Sequence, residues 1–354
     1  YFYVSLFNFL TNVSADVLDQ ATNANLDFEE AIAGDLANPV YFSASPFQAV
    51  NSVTQENFSP ITVGVENEGV TFKTKSDTEV ILKPCSIFID PCRFIDKYKR
   101  VLVLCDTYDN DGQPLPTNHR NSAVKIFDKI EYDVNCWFGL EQEYFIRFNN
   151  TTFSPENNGT HYCGFTNKLE KTIVEEHLQA CISSGLQISG VNAEVATGQW
   201  EFQIGPSQGI NAADQLVIAR YLLQRIAEKY DATIEYSPKI SENANGSGCH
   251  INFSTKKMRD PDGLIEIMSC MEKLKSNHEE HIAAYGNDNH LRLTGLHETS
   301  SMDKFTWGIG TRNTSVRIPN LTKKNGCGYF EDRRPAANID PYLATSIIAE
   351  TCCL

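Results

Sequence analysis

The spacing of apolar residues is clearest after residue 100, where it predicts helices separated by strands. Apolar positions recur with a helical period in four segments: 167–185, 211–230, 263–286 and 340–354. The first segment ends at Gly185, the second opens on Asn211 as a predicted N-cap, and the last opens on an Asp-Pro pair that is typical of a helix start. The strands predicted between these segments indicate a sheet that carries helices.

Shorter apolar runs divide the rest of the chain. The segment "VLVLCDTY" (101–108) begins as a continuous apolar run, which predicts a strand buried on both faces. Residues 1–98 are polar and rich in Asn, Ser and Thr, with short candidate strands at 70–74 and 79–89. The pattern therefore predicts an α+β protein of two domains, a small β-rich one over residues 1–98 and a larger one over residues 99–354.

One predicted strand, "WFGLEQEYFIRF" (137–148), contains two carboxylates among large apolar side chains. Residues two apart on a strand point to the same face, so Glu141 and Glu143 lie side by side while Gln142 points the opposite way. Burying two adjacent unpaired carboxylates destabilises the folded state by roughly several kcal/mol for each group. The face is therefore either solvated or occupied by a cation.

A second pair of carboxylates lies in "GVNAEVATGQWEFQIGP" (190–206). We predict a hairpin here with Thr197 and Gly198 as a two-residue loop, which places Glu194 directly opposite Glu201. Like charges in that position destabilise a hairpin, and a divalent cation between them would reverse the effect. Oxygen-rich sites of this kind suit Mg²⁺ or Mn²⁺ better than Zn²⁺.

Two further motifs add a histidine and several arginines. In "NANGSGCHINFST" (243–255), a Gly-containing loop leads to a predicted strand with His250, Asn252 and Ser254 on one face. Three later segments supply arginines near Glu298 and Glu331, and clustered arginines suit bidentate capture of phosphates or carboxylates. These arginines are Arg292, Arg312, Arg317, Arg333 and Arg334.

Composition narrows the classes of partner. The formal net charge is −15 and the pI is about 5.0, which argues against nucleic-acid or anionic-membrane partners. The apolar runs are shorter than the roughly 20 residues of a membrane helix. The eleven cysteines include no CxxC pairs at zinc spacing, so we expect reduced thiols and a cytoplasmic protein.

Taken singly, each motif has an ordinary structural explanation. A Glu pair on a strand is more often a solvated face, a histidine after glycine is usually structural, and arginines in an acidic protein usually form surface ion pairs. Taken together, paired carboxylates in apolar strands, a histidine and an arginine set indicate a divalent-metal site for a polyanionic substrate such as a nucleoside triphosphate.

These motifs, in this order, resemble the eukaryotic-type glutamine synthetases. The resemblance rests on "WFGLEQEY", "NAEV…QWEFQIGP", "NGSGCHINFST", "LTGLHETS", "RNTSVRIP" and "GYFEDRRPAANIDPY", and covers roughly residues 99–354. It implies an N-terminal β-grasp domain and a catalytic domain with a curved antiparallel sheet. It also implies ATP-dependent ligation of glutamate and ammonium through γ-glutamyl phosphate, with two or three Mg²⁺ or Mn²⁺ ions per site.

The resemblance implies a role for each matching residue. One metal ion would be bound by Glu143, Glu194 and Glu201, and a second by Glu141, His250 and Glu331. The catalytic residues implied are Glu298, Arg333 and Arg292. Substrate glutamate would contact Asn245, Gly246, His250, Arg292 and Arg333. The ATP-binding residues implied are Trp137, Asn252, Ser254, Arg259, Arg312, Arg317 and Tyr329.

The N-terminal domain departs from the family pattern. The family carries an Asp in a "DGSSTGQ" loop that reaches a neighbouring subunit and helps to bind and deprotonate ammonium, and here Ser59 occupies that position. Three hypotheses remain: a working or impaired glutamine synthetase, a silent homologue kept as a structural oligomer, and a γ-glutamyl ligase for another amine. The family also implies a homo-oligomer, a decamer of two pentameric rings.

Overall fold

A computed structural model describes residues 3–5, 80–92, 101–149, 168–242 and 244–354. The chain divides into two compact units, Tyr1–Asn121 and Ser122–Leu354. The predicted domain boundary at residues 98 and 99 lies outside the described residues and stays a prediction. None of the helices in the described ranges is both long and apolar enough to cross a membrane.

The first unit contains an antiparallel sheet in the order β1-β3-β2, counted over its described residues. Its strands are β1 (Tyr3–Ser5), β2 (Ile81–Ile89) and β3 (Val101–Tyr108). Residues 101–105 are buried, as their continuous apolar run predicts. The strands predicted at 79–89 and 101–108 are confirmed, whereas the one at 70–74 lies outside the described residues and the β-grasp fold stays a prediction.

The second unit is built on one sheet whose order, within the described residues, is β5-β6-β4-β8-β11-β10-β9, with β7 paired to β4. Neighbouring strands are antiparallel except for the parallel pair β9 and β10. The strands are β4 (Trp137–Phe148), β5 (Ile188–Ala193), β6 (Gln199–Gln208), β7 (Ala232–Glu235), β8 (Cys249–Ser254), β9 (Trp307–Ile309), β10 (Val316–Ile318) and β11 (Phe330–Asp332).

The helices confirm the α+β class predicted from the sequence. Those of the described residues are α1 (His119–Phe127), α2 (Lys168–Ser183), α3 (Ile210–Glu228), α4 (Lys256–Arg259), α5 (Leu264–Ser276), α6 (His278–Ala284), α7 (Asn320–Asn325) and α8 (Pro341–Cys353). At the start of α8, the Asp340 carboxylate accepts hydrogen bonds from the backbone N–H groups of Tyr342 and Leu343, as its Asp-Pro pair predicts.

Two details of the helix prediction are wrong. The segment 263–286 is not one helix, because it is interrupted at Asn277 between α5 and α6. The Asn277 side chain donates to the carbonyl of Lys273, which also accepts the helical bond from the Asn277 backbone N–H, and such a side-chain bond competes with continuation of a helix. The N-cap of α3 is Gly209, not Asn211, and it makes no side-chain capping bond.

Strand β4 separates two kinds of surface, as its alternation predicts. Gln142 is fully buried on the face that meets the helices. Its Nε2 donates to the carbonyl of Ala337 at 3.0 Å, and its Oε1 accepts from Arg220 Nε of α3 at 2.7 Å. Glu141 and Glu143 are therefore left on the opposite face, where the candidate site lies.

A buried ion pair lies at the end of β11. Asp332 and Arg334 are both fully buried, and Asp332 Oδ2 accepts from Arg334 Nη2 at 2.7 Å and from the Tyr285 hydroxyl at 2.7 Å. Arg334 Nη1 also lies 2.9 Å from Nδ1 of His278. We predicted Arg334 among the arginines of the site, and this is wrong, because its guanidinium is held in the core by Asp332.

Candidate active site

The carboxylates of β4 lie in the middle of the larger sheet. Glu143 is opposite Glu201 of β6, and Glu141 is opposite His250 of β8. The residues Glu143, Glu201 and His250 are each less than 10% exposed, at 8%, 7% and 6%. Strands β4, β6 and β8 thus bring carboxylate and imidazole groups together at one buried site.

The first group of ligand atoms consists of carboxylates only. One oxygen each from Glu143, Glu194 and Glu201 lies within 4.8 Å of the others. The backbone N–H of Gly248 donates to Glu143 Oε2 at 2.8 Å, and Gln199 Nε2 donates to the same oxygen at 3.2 Å. Glu143 therefore has a fixed orientation in the cluster.

The hairpin that carries Glu194 differs from the predicted one. Asn192, not Glu194, is opposite Glu201, and the connection spans residues 194–198 instead of two residues. It is closed by a bond from the Glu194 N–H to the Gln199 carbonyl at 2.8 Å. The predicted register was wrong by two residues, and a shift of two preserves the face of every side chain. Glu194 therefore still reaches the cluster, from just beyond the end of β5.

The second group combines two carboxylates with an imidazole. Ligand atoms of Glu141, His250 and Glu331 lie within 4.8 Å of one another. His250 Nδ1 is 3.5 Å from Glu141 Oε2 and 3.4 Å from Glu331 Oε1. Asn252 Nδ2 donates to Glu141 Oε1 at 2.7 Å and orients that carboxylate.

Arginines surround the second group. Glu331 is fully buried and forms ion pairs with Arg317 and with Arg333, whose Nη1 is 2.6 Å from Glu331 Oε1. Arg292 is 5% exposed, and its Nη2 lies 2.9 Å from His250 Nε2. The positive charges therefore offset part of the acidic charge and face the same cavity.

The cavity between these groups has a volume of about 370 Å³. It is lined by residues from both predicted metal groups, from the predicted substrate set and from the predicted catalytic set. They include Glu141, Glu143, Glu194, Glu201, His250, Asn245, Gly246, Arg292, Arg312, Arg317, Arg333 and Glu298. Gly246 is needed there, because a Cβ at this position would lie 2.7 Å from the backbone oxygen of Pro238.

A loop at the mouth of the cavity carries Glu298. Its Oε2 forms an ion pair with Arg312 Nη1 at 3.1 Å, and both side chains are nearly half exposed. Arg333 donates to the carbonyls of Glu298 and Arg312, at 3.3 Å and 3.1 Å. His297 and Glu298 have positive φ angles of 52° and 62°, which non-glycine residues rarely adopt. Arg333 thus fixes the base of a loop with an unusual backbone.

Burial changes the ionisation of the carboxylate group. It raises the pKa of Glu143 to about 7, of Glu194 to about 8 and of Glu201 to about 9, and neighbouring carboxylates add to the rise for Glu194 and Glu201. Burial lowers the pKa of His250 well below its usual value. Clustered carboxylates that resist ionisation on their own are the donor set that fits Mg²⁺ or Mn²⁺, since the cation favours their charged form.

The chain also matches known proteins over most of its length. The family model for the glutamine synthetase catalytic domain matches residues 116–284. A putative glutamine synthetase of Acanthamoeba polyphaga mimivirus is 54% identical over 287 residues, 78% of this chain and 80% of the relative. A glutamine synthetase cytosolic isozyme of Pinus sylvestris is 48% identical with the same coverage, and a glutamine synthetase of Yarrowia lipolytica is 47% identical, with 78% of each chain covered. The chain belongs to the glutamine synthetase family.

In this glutamine synthetase family member, part of the predicted ATP set forms a second cluster beside β8. Arg259 of α4 stacks on the Trp137 ring at 4.0 Å from its centroid, and its Nη1 donates to Ser254 Oγ at 2.9 Å. Trp137 and Tyr329 are 39% and 43% exposed, so aromatic surface is available there. Asn252 contacts Glu141, while Arg312 and Arg317 line the cavity. The nucleotide-binding role of these residues stays a prediction.

Three amide side chains near the carboxylates were not predicted. Asn192 Nδ2 donates to Glu194 Oε1 at 3.0 Å, Gln203 Nε2 donates to Asn192 Oδ1 at 2.6 Å, and Gln203 also bonds Glu201. Gln199 contacts Glu143, as described above. The sequence contained a signal for two of them, since Gln199, Glu201 and Gln203 alternate along one strand and so share a face.

The raised pKa values predict how metal affects the stability of this glutamine synthetase family member. An unfolded Glu ionises near 4.5, so the contribution of the three carboxyls to metal-free stability is present below that pH and lost as pH rises through about 7 to 9. A divalent cation binds the ionised form, so it should raise Tm more at pH 9 than at pH 6. Thermal melts in EDTA and in excess Mg²⁺ across this range measure the difference, and Glu201→Gln should reduce it. Parallel pH profiles with and without Mg²⁺ would contradict the prediction.

Proposed function

We propose that this protein is a glutamine synthetase, which joins glutamate and ammonium at the expense of ATP through γ-glutamyl phosphate. The observation that carries the proposal is the convergence of four arginines and five of the six predicted metal ligands on one cavity, with the sixth ligand, Glu331, in contact with His250. Glutamine biosynthesis is also the activity in the names of the curated relatives. The buried carboxylates argue against a silent structural homologue, because they are costly to bury without a cation.

The residues divide into metal, substrate and nucleotide roles in this proposal. Glu143, Glu194 and Glu201 bind one divalent cation, and Glu141, His250 and Glu331 bind another. When bound, these ions neutralise phosphate charge. Arg312 and Arg317 bind ATP phosphates, and Trp137, Ser254, Arg259, Asn252 and Tyr329 complete the nucleotide site.

Positioning and charge neutralisation dominate phosphoryl transfer, because the protein has little covalent chemistry to perform. Arg292 and His250, with Asn245 and Gly246, orient the substrate glutamate. Arg333 contacts the transferred phosphoryl group, and its bonds to the Glu298 loop link that contact to the mouth of the cavity. Glu298 closes the site against water, which would hydrolyse the acyl phosphate, and accepts a proton as the amide forms.

The direct test is to measure glutamine and ADP from ATP, glutamate and ammonium with Mg²⁺ or Mn²⁺. Equal amounts of the two products are expected, and both should disappear when the metal is chelated. ADP that forms only when another amine replaces ammonium would favour a γ-glutamyl ligase of different specificity. Failure to bind ATP would favour the silent homologue.

We also propose a homo-oligomer, a decamer of two pentameric rings, and a cytoplasmic location, which agrees with the cytosolic isozymes among the relatives. A closed ring needs heterologous contacts between neighbouring subunits. Light scattering at micromolar concentration measures the mass directly, and a monomer near 39.7 kDa would contradict the ring.

Ser59 lies outside the described residues, and its effect stays a prediction. A neutral hydroxyl cannot balance the ammonium charge or accept its proton readily at pH 7, so glutamine formation should be about 10²–10⁴-fold below that of an enzyme with the Asp. Raising the pH from 6.5 to 9 should partly restore the rate, since free ammonia then replaces ammonium, and Ser59→Asp should restore it further. A wild-type rate that is flat with pH and unchanged by the substitution would show that another group has taken over this role.

A further inference from the structure

Two cysteines far apart in sequence meet beside the cluster of predicted ATP-binding residues that contains Trp137, Ser254 and Arg259. The Sγ atoms of Cys136 and Cys353 are 3.6 Å apart, across a separation of 217 residues. Cys136 immediately precedes β4, and Cys353 is the last residue of α8. Cys136 is 5% exposed, whereas Cys353 is partly exposed. A disulfide needs the two sulfurs about 2.05 Å apart, so a movement of roughly 1.5 Å would join them.

The two thiols differ in exposure and in acidity. The hydrogen bond between the two thiols and, to a smaller extent, the nearby Arg259 charge lower the pKa of Cys136, while burial opposes them. The bond with Cys136 is the main reason that the pKa of Cys353 is raised, and burial adds to the rise. The accessible thiol and the more acidic thiol are therefore different members of the pair.

The segment around Cys136 is tied to the predicted ATP-binding residues. Asn135 accepts a hydrogen bond from Arg259 Nη2 at 2.9 Å through its backbone oxygen, and Trp137 stacks under the same guanidinium. Cys136 also accepts a bond from the N–H of Gly209 through its own carbonyl, at 3.0 Å. A displacement of Cys136 should therefore affect both contacts of Arg259, the hydrogen bond to Asn135 and the stacking on Trp137.

We propose that Cys136 and Cys353 are a redox modification site, which forms an intramolecular disulfide by exchange with a small-molecule disulfide such as oxidised glutathione. Cys353, the thiol that an external disulfide can reach, loses its proton to the solvent and attacks one sulfur of that disulfide, giving a mixed disulfide and releasing one small thiol. The Cys136 thiolate then attacks Cys353 Sγ and releases the second small thiol. Two protein thiols are oxidised, one external disulfide is reduced, and the two protons pass to the released thiols.

The crosslink changes nucleotide binding if the proposed function holds. Closing the sulfur gap moves the start of β4, so KM for ATP should rise on the order of tenfold, while KM for glutamate should stay unchanged. The same bond closes a long loop and should raise Tm by several degrees. The disulfide itself is detected by mass, so this proposal and the proposed function can fail independently.

The test is to incubate the full chain with oxidised glutathione, block the remaining thiols and map the peptides by mass spectrometry. A single linkage between residues 136 and 353 that dithiothreitol reverses is expected, and Cys353→Ser should abolish it. Cys352→Ser is the matched control, because Cys352 is adjacent but buried and should not affect the linkage.

Glutathione bound to Cys353 without the crosslink would overturn the proposal, as would a linkage to any other cysteine. A Cys136→Ser variant distinguishes the two steps of the exchange. It is expected to retain the mixed disulfide at Cys353 and to lose the crosslink. A complete crosslink with unchanged KM for ATP in an active enzyme would overturn the coupling to the predicted ATP-binding residues.

Discussion

Replacing Glu331 with glutamine is expected to lower glutamine formation by about 10²–10⁴-fold, a range set by the loss of a metal-ligand charge in phosphoryl transfer. Glu331 is fully buried, and its carboxylate contacts Arg317, Arg333 and His250. Glutamine keeps the shape of the side chain but removes the negative charge that a divalent cation and both arginines share. The deficit should therefore fall mainly on metal affinity and on the rate of ADP formation.

The assay is a titration of ADP and glutamine formation with Mg²⁺ and Mn²⁺, together with thermal unfolding to establish that the variant is folded. Glu176→Gln is the matched control, because Glu176 is a partly exposed carboxylate of α2, away from the cavity, that bonds Tyr230 and Lys229. It should retain full activity. A Glu331→Gln enzyme with unaltered metal dependence would remove Glu331 from the proposed ligand set.

Replacing the next residue, Asp332→Ala, should act on stability instead, with a loss of about 3–5 kcal/mol in the free energy of unfolding. Asp332 accepts bonds from Arg334 through both carboxylate oxygens, and the substitution leaves the Arg334 guanidinium buried without its counter-ion. Tyr285 would lose the acceptor of its hydroxyl as well. Denaturant unfolding of the variant and the wild type measures the loss.

A double variant separates the net contribution of this ion pair to stability from the loss of stability that follows when only one partner is removed. Asp332→Leu combined with Arg334→Met replaces both charges with apolar groups of similar size, so it should lose less stability than Asp332→Ala. If the double variant is as unstable as the single one, the cavity and the lost hydrogen bonds outweigh the uncompensated charge.

Most of the candidate site was predictable because two side chains on a strand share a face whenever an even number of positions separates them. The spacing of Glu141 and Glu143 was sufficient to place both on one face, and an error of two residues at the 194–198 connection left Glu194 and Glu201 on the correct side. The sequence pattern also separated Gln142 from its neighbours. What the apolar flanks could not specify was the length of the hairpin loop, since several turns satisfy the same alternation.

Features set by tertiary contact were not predictable in the same way. Arg333 and Arg334 are adjacent and chemically alike, yet one borders the cavity and the other lies in the core with Asp332. The break at Asn277 depends on a local side-chain bond that competes with a favourable helical pattern. The proximity of Cys136 and Cys353 depends on the packing of α8, and cysteine spacing carries no information about it.

Strand β11 also limits which insertions and deletions the gene can tolerate. Over residues 330–334, side chains alternate between core and cavity, and β11 itself has only three residues. Deleting one codon here would bring Asp332 to the cavity and leave Glu331 facing inward, so a single lesion would damage folding and catalysis together. Deleting two codons would restore the alternation but shorten the strand to one residue. We therefore expect this segment to vary by substitution and almost never in length.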